Sequence, residues 1–324
     1  MNAGKIMTWA AAALACICLS GPAEATDRIR IAIQKTGTLA WELEVMKARG
    51  FDKDARLDIE ITELASTEAA KIALKGGAAD MILSDWLWVQ RERSLGDELL
   101  FAPYSTALGA VMVAKDSPVH TVADLAGRSI GVAGGPLDKS WLMLRAAAKL
   151  EGIDLAANKG IAYGAPPLIS EMSLRGGIDS ALEFWNFSAM MEARGWRRAI
   201  DMVDIEKALG AKGPVAMTGY VFTERFAEAH GDALRRFFEA TAKTREILAK
   251  DPSAWAPIKA RLEIADDAAL AIYKERYLEG VPRRSVAEET ADAKTLFLAM
   301  AEIGGRELVG DAKQLDVDLF YDAH

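Results

Sequence analysis

The chain has 324 residues, 51% hydrophobic and 27% charged, with a formal net charge of −8. That length accommodates two domains, each with its own core. The acidic balance, with no Lys/Arg cluster to override it, excludes nucleic acid as a partner.

Residues 1–25 read as a cleavable export signal. Lys5 supplies the positive start, residues 7–19 the apolar run, and Ala23-Glu24-Ala25 the small-x-small cleavage pattern. The run is short for a bilayer span, and no other apolar stretch of that kind follows, so a soluble mature chain from Thr26 is expected. Both cysteines, Cys16 and Cys18, fall in the removed segment. Cysteine catalysis, iron–sulfur clusters and thiolate zinc sites are therefore excluded for the mature protein. Lipoprotein processing at Cys16 is the rival reading, against which Ala13-Leu14-Ala15 makes a poor lipobox.

Alternation of apolar residues predicts a strand over 28–33, and a helix over 39–49 stops at Gly50. A second alternating strand spans 57–64. Ser66 is the expected N-cap of a helix that ends at Gly76-Gly77, before a short buried strand at 80–84 and a helix at 86–93. Residues 100–114 are strand-like around Pro103 and Gly109, broken by Asp116-Ser117-Pro118, and read as a first crossing between lobes. The scheme then repeats, with a short helix at 121–125, strands at 129–133, 160–163 and 179–182, and helices at 140–150, 168–174 and from 188. Gly210 to Pro214 and strand-like 215–222 form the return crossing. Beyond it the pattern is helical, from 226–250 through Asp251-Pro252 to Gly304. Strand–helix alternation implies right-handed βαβ units in mainly parallel sheets.

Two segments about a hundred residues apart nearly coincide. Leu74-Lys75-Gly76-Gly77-Ala78-Ala79-Asp80 leads to Trp86, and Leu174-Arg175-Gly176-Gly177-Ile178-Asp179 leads to Trp185. Upstream, the turn Thr36-Gly37-Thr38 precedes Trp41 as Gly134-Gly135-Pro136 precedes Trp141. The chain thus reads as two similar α/β halves with tryptophans beyond strand ends, where ligands of open α/β sheets bind.

Val119-His120-Thr121-Val122-Ala123-Asp124-Leu125-Ala126-Gly127-Arg128-Ser129-Ile130-Gly131-Val132 resembles the Asp-Leu-x-Gly-Lys-x-Ile-Gly-Val signature of periplasmic substrate-binding proteins. The Leu-Lys-Gly-Gly-x-x-Asp segment is similar to that of their nitrate/taurine/sulfonate branch, which also holds thiamine-precursor binders. The order of elements extends the resemblance over residues 27–300. It implies a type II-like bilobed α/β periplasmic-binding-protein fold with two mixed, mainly parallel sheets flanked by helices and a hinge between lobes. Lobe I takes 26–109 and 216–324, and lobe II 110–215. It also implies a periplasmic monomer that hands a small-molecule ligand to the membrane permease of an ABC importer, without cofactor or catalysis.

Trp41, Trp86, Trp141 and Trp185 are the expected ligand clamp, since indole faces offer stacking and cation–π surface. Trp88 matches the repeat less well and reads as helix packing. Asp85, Asp138 and Glu183 are either partners for a cationic or N–H-rich ligand or helix caps. Thr38, Gly134 and Gly135 offer free N–H groups in turns, and Ser84 and Asn186 polar contacts. Asp80 and Asp179 read as turn-stabilising. Acidic strand ends depart from the anion-binding members and favour a ligand with an aromatic or cationic nitrogen group, an alkanesulfonate or taurine-like anion being the alternative. The three histidines, His120, His230 and His324, are not spaced as a metal or acid–base pair. A hard cation held by Asp85, Asp138 and Glu183 is a minor reading. An enzyme on the same fold, of thiamine-precursor or menaquinone-pathway type, is the rival class, and a protein-docking cleft a third.

Overall fold

The computed structural model describes residues 26–35 and 37–322. The expected signal peptide with Cys16 and Cys18, and also Thr36 and His324, lie outside them.

In chain order the first half gives β1 (Asp27–Gln34), α1 (Thr38–Ala48), α2 (Phe51–Asp54), β2 (Leu57–Leu64), α3 (Thr67–Lys75), β3 (Met81–Asp85), α4 (Trp86–Ser94) and β4 (Leu99–Ser105). The chain then crosses to β5 (Ala110–Val113), β6 (Ile130–Ala133), α5 (Lys139–Leu150), β7 (Ile161–Gly164), α6 (Pro166–Leu174), β8 (Ser180–Glu183), α7 (Trp185–Ala193), β9 (Arg197–Asp201) and α8 (Met202–Ala208). It returns through β10 (Thr218–Thr223) into α9 (Glu224–Lys250), α10 (Ala256–Arg261), α11 (Asp267–Glu279) and α12 (Val286–Val309).

Two five-stranded sheets result, ordered β2-β1-β3-β10-β4 and β7-β6-β8-β5-β9. In the first, β10 runs antiparallel to both β3 and β4, so the other four strands share one direction. In the second, β5 is the reversed strand, antiparallel to β8 and β9. Each reversed strand is the one the chain enters straight after a crossing.

The Gly-Gly-Asp repeat has a common job. Asp80 accepts the backbone N–H of Arg30 on β1 at 2.8 Å, fifty residues away. Asp179 accepts that of Ser129, just before β6, at 2.9 Å and over the same fifty residues. Each aspartate thus ties the start of a central strand, β3 or β8, to its parallel neighbour β1 or β6, rather than its own turn.

Several elements differ from expectation. Residues 100–114 are not one strand but β4 and β5 in different sheets, divided at Gly109, whose φ of +105° only glycine adopts without strain. The helix expected from 188 is interrupted at Gly195 (φ +84°), after which come the unexpected edge strand β9 and α8. The pair Arg197-Arg198 hides β9 from an apolar-alternation reading. The helices of residues 216–324, expected in lobe I, pack on elements of both sheets. α9 packs on α1 and α2, but α11 packs on α7, and α12 on both α4 and α5. Up to its break at Gly305 this helix is straight for about 28 Å, enough to touch helices of both sheets.

A Cβ at Gly109 would drive into the carbonyl of Glu183 and the backbone of Phe184. With the positive φ added, Gly109→Ala should destabilise by about 3 kcal/mol or more, read from urea unfolding. A change below 1 kcal/mol, on the order of a surface substitution, would show that the crossing is not under this constraint.

Candidate functional site

Between the sheets lies a cleft of about 910 Å³. One wall comes from the ends of β1, β3 and β4 and the first turns of α1, α3 and α4. The other comes from residues 135–139, 165–167 and 184–187, with Glu307 and Leu308 of α12 at its margin.

Of the expected site residues, Thr38, Ser84, Asp85, Gly135, Asp138, Trp185 and Asn186 line this cleft together. Trp41, Trp86, Gly134, Trp141 and Glu183 do not. Of the four indoles expected to clamp a ligand, Trp185 alone lines the cleft. Trp41 lies one helical turn beyond Thr38 and is covered by Trp255 and Tyr277, with ring centroids 5.7 and 4.9 Å away. Trp86 is fully buried and faces Phe320 at 6.4 Å. Trp141 is fully buried beside Tyr163. Trp185 packs tilted at 4.9 Å from the Tyr273 ring and also lines the cleft.

The indole passed over in sequence is Trp88. Two residues after Trp86 on α4, it stands about 200° round the helix, so when Trp86 enters the core Trp88 faces the cleft. Lys71 lies over its ring at 5.2 Å and pairs with Glu68 at 2.8 Å. On the facing wall Lys139 lies 5.7 Å from the Phe184 ring. That offset around α4 is the signal in the sequence that identifies Trp88.

The carboxylates divide by environment. Asp85 caps α4, accepting the Trp88 N–H at 2.9 Å, and Asp138 caps α5, accepting those of Ser140 and Trp141 at 2.9 and 3.2 Å. Burial raises the Asp138 pKa, against the pull of Lys139 and its two N–H donors, and the Asp85 charge pushes it further up. Glu183 lies inside the second lobe, where Ser170 donates to it at 2.8 Å. Burial pushes its pKa up to about 8, so it is mostly neutral at pH 7. The reading of Asp85, Asp138 and Glu183 as joint metal ligands is thus corrected, because Glu183 is not in the cleft. Among the described residues no group of three His, Cys, Asp or Glu is placed to hold a metal ion.

The first turns of α1 and α7 carry no side-chain cap, at Gly37 and Phe184, and both border the cleft. Their N–H groups give each wall a positive helix end. Ser84 is 4% exposed, and its Oγ has no protein partner.

The model of the NMT1/THI5-like family matches residues 43–254. The chain belongs to the NMT1/THI5-like family. No curated protein sequence matches it. This NMT1/THI5-like chain is similar in structure to the alkanesulfonate-binding protein SsuA from Xanthomonas axonopodis pv. citri bound to MOPS, at 18% identity and TM-score 0.69, over 92% of this chain and 99% of that one. It is similar to the periplasmic aliphatic sulphonate binding protein SsuA from Escherichia coli at 20% identity and TM-score 0.69, over 90% and 91%. The Candida albicans CA3427 product, described as having the generic periplasmic binding protein fold, matches at 13% identity and TM-score 0.55, over 90% and 92%. The shared property is the periplasmic-binding-protein fold.

Because the folded Glu183 pKa stands above the usual 4.5, the native state holds more protons than the unfolded chain between pH 4.5 and about 8. Stability falls as pH rises through that window. Glu183→Gln should match the wild type near pH 4 and exceed it at pH 9 by on the order of a few kcal/mol in urea unfolding. A difference independent of pH would show that Glu183 is ionised in the native state.

Proposed function

We propose that this protein is the periplasmic solute-binding component of an ABC importer. Its two lobes close around a small organic molecule bearing an aromatic or cationic nitrogen group. The observation that carries this reading is the 910 Å³ cleft, lined from both sheets by strand ends and first helical turns. Trp88 and Trp185 supply the aromatic surface, and Asp85 and Asp138, from opposite walls, the acceptors for an N–H-rich group. Export through the segment at 1–25 and hand-over to a membrane permease belong to the same reading. Among the described residues no histidine or cysteine lines the cleft, which supports binding over catalysis.

A second reading, an alkanesulfonate-like anion, is favoured by the uncapped first turns of α1 and α7 and by what the two SsuA proteins bind.

Mass spectrometry of co-purified molecules and a thermal-shift panel of amines, N-heterocycles and alkanesulfonates separate the readings. A true ligand at a hundred times its Kd should add about 2.7 kcal/mol of stability. A panel that shifts nothing, together with capture of a protein on the cleft, would overturn the transport reading.

The residue test is independent of ligand identity. Trp88→Ala and Trp185→Ala should each weaken binding about tenfold, at roughly 0.5–2 kcal/mol per desolvated stacking contact. Trp141→Ala should instead cost about 3–5 kcal/mol of folding stability. Normal binding by both cleft variants, with unchanged tryptophan fluorescence, would remove the indoles from the site.

A further inference from the structure

Behind Thr38 and Trp185 the cleft adjoins a second cavity of about 10 Å³, room for about one water-sized group. Thr38, Tyr104, Ser105 and Trp185 line both spaces. The inner wall is unusually polar. Arg245 of α9 donates from Nη2 to the Tyr104 carbonyl at 2.8 Å, and its guanidinium lies 4.8 Å from the Tyr104 ring. Its Nε stands 3.7 Å from Oε1 of Glu42, which also accepts the Tyr277 hydroxyl. Glu42 is 2% exposed and Tyr104 3%.

Three polar atoms around this cavity have no hydrogen-bond partner in the protein: Glu42 Oε2, Arg245 Nε and the Tyr104 hydroxyl. Each such buried group costs about 1–3 kcal/mol when nothing satisfies it. Together they offer one acceptor, one donor and one hydroxyl. The Arg245 and Glu42 charges offset each other, so an ion of either sign entering here gains from one and is repelled by the other. A neutral hydroxyl gains from both.

We infer that this cavity is a subsite for a neutral hydroxyl group of the ligand, donating to Glu42 and accepting from Arg245 and the Tyr104 hydroxyl, and held by water when no ligand is bound. The inference rests on the cleft being a small-molecule site. It adds a selectivity that the main cleft does not provide, since a ligand without the hydroxyl leaves buried polar groups unpaired.

Two experiments on the full mature chain test it. A high-resolution crystal structure without ligand should show an ordered water within about 3.2 Å of Glu42 Oε2 and Arg245 Nε. A dry cavity, or one filled by a side chain, overturns the subsite. In solution, 3-(hydroxymethyl)pyridine should bind the wild type about tenfold or more tightly than 3-methylpyridine by thermal shift. Tyr104→Phe and Glu42→Gln should each reduce that preference to about threefold or less, and Tyr104→Phe keeps the test usable if Glu42→Gln folds poorly. Equal binding of the two pyridines by the wild type overturns the inference. If neither pyridine binds, the nitrogenous-ligand reading fails, and the crystallographic water alone decides the subsite.

Discussion

The molecule depends on two chain crossings between its sheets and on the reversed strand that each one delivers. Among the described residues β5 and β10 are the only strands in their sheets opposed to both neighbours. Each lies inside its sheet, and the first sheet cannot join β4 to β3 until the chain has built β5 to β9 and returned as β10. The outward crossing turns at Gly109 against the Glu183 carbonyl. The return crossing has no regular structure of its own and borrows partners from α12 and from Arg284 just before it. Asp292 accepts from the N–H groups of Lys212 and Gly213, Glu289 from that of Ala216 at 2.9 Å, and Arg284 donates to the Pro214 carbonyl at 3.2 Å. Burial pushes Glu289 up to about 7 despite the Ala216 N–H and the Arg284 charge, so the crossing is held by a carboxyl near its titration point.

The last hundred residues turn two lobes into one body. Arg276 of α11 makes a bidentate pair with Glu192 of α7, both contacts at 2.9 Å. α12 packs on α5, bends at Gly305 (φ +59°), and gives way to a terminal segment fastened to the first lobe. There Asp316 pairs with Arg93 at 2.8 Å and Phe320 stacks edge-on against Phe101. The proposed closure therefore involves more than the two crossings, since α12 spans both walls and contributes Glu307 and Leu308 to the cleft margin. In the proposed closure the strap would flex at least cost in backbone strain at the Gly304-Gly305 bend.

Most of the fold was legible because each local signal agreed with the next: alternation in β1 and β2, glycines after α1 and α3, and the repeat that sets Asp80 and Asp179 fifty residues from their partners. The site was less legible. Proximity to a strand end places a residue near a cleft, but the face of the helix it occupies decides where its side chain goes. Trp86 and Trp88 share α4 and part company on that criterion alone. Trp41 was hidden by Trp255 and Tyr277, which arrive more than 200 residues later. No local pattern in the sequence announces such a lid. The Glu42–Arg245 contact joins α1 to α9 and is equally non-local.

The charges around the cleft then follow from which helices cap themselves. Asp85 and Asp138 spend one oxygen each on the first turns of α4 and α5, which offsets the positive ends of those helices. α1 and α7 have no such cap and keep theirs, whereas α6, also uncapped, opens on Pro166 and Pro167, which have no N–H to offer. Acceptors therefore stand beside two of the helix starts and donors at two others, drawn in each case from both walls. An ion of either sign finds a complementary end in this arrangement, but only a molecule long enough to span the walls engages both lobes. The inner cavity at Glu42 and Arg245 carries the same balance further in, where opposite charges 3.7 Å apart leave no net charge. Selectivity in this site therefore comes from where donors and acceptors stand relative to the indoles, more than from net charge.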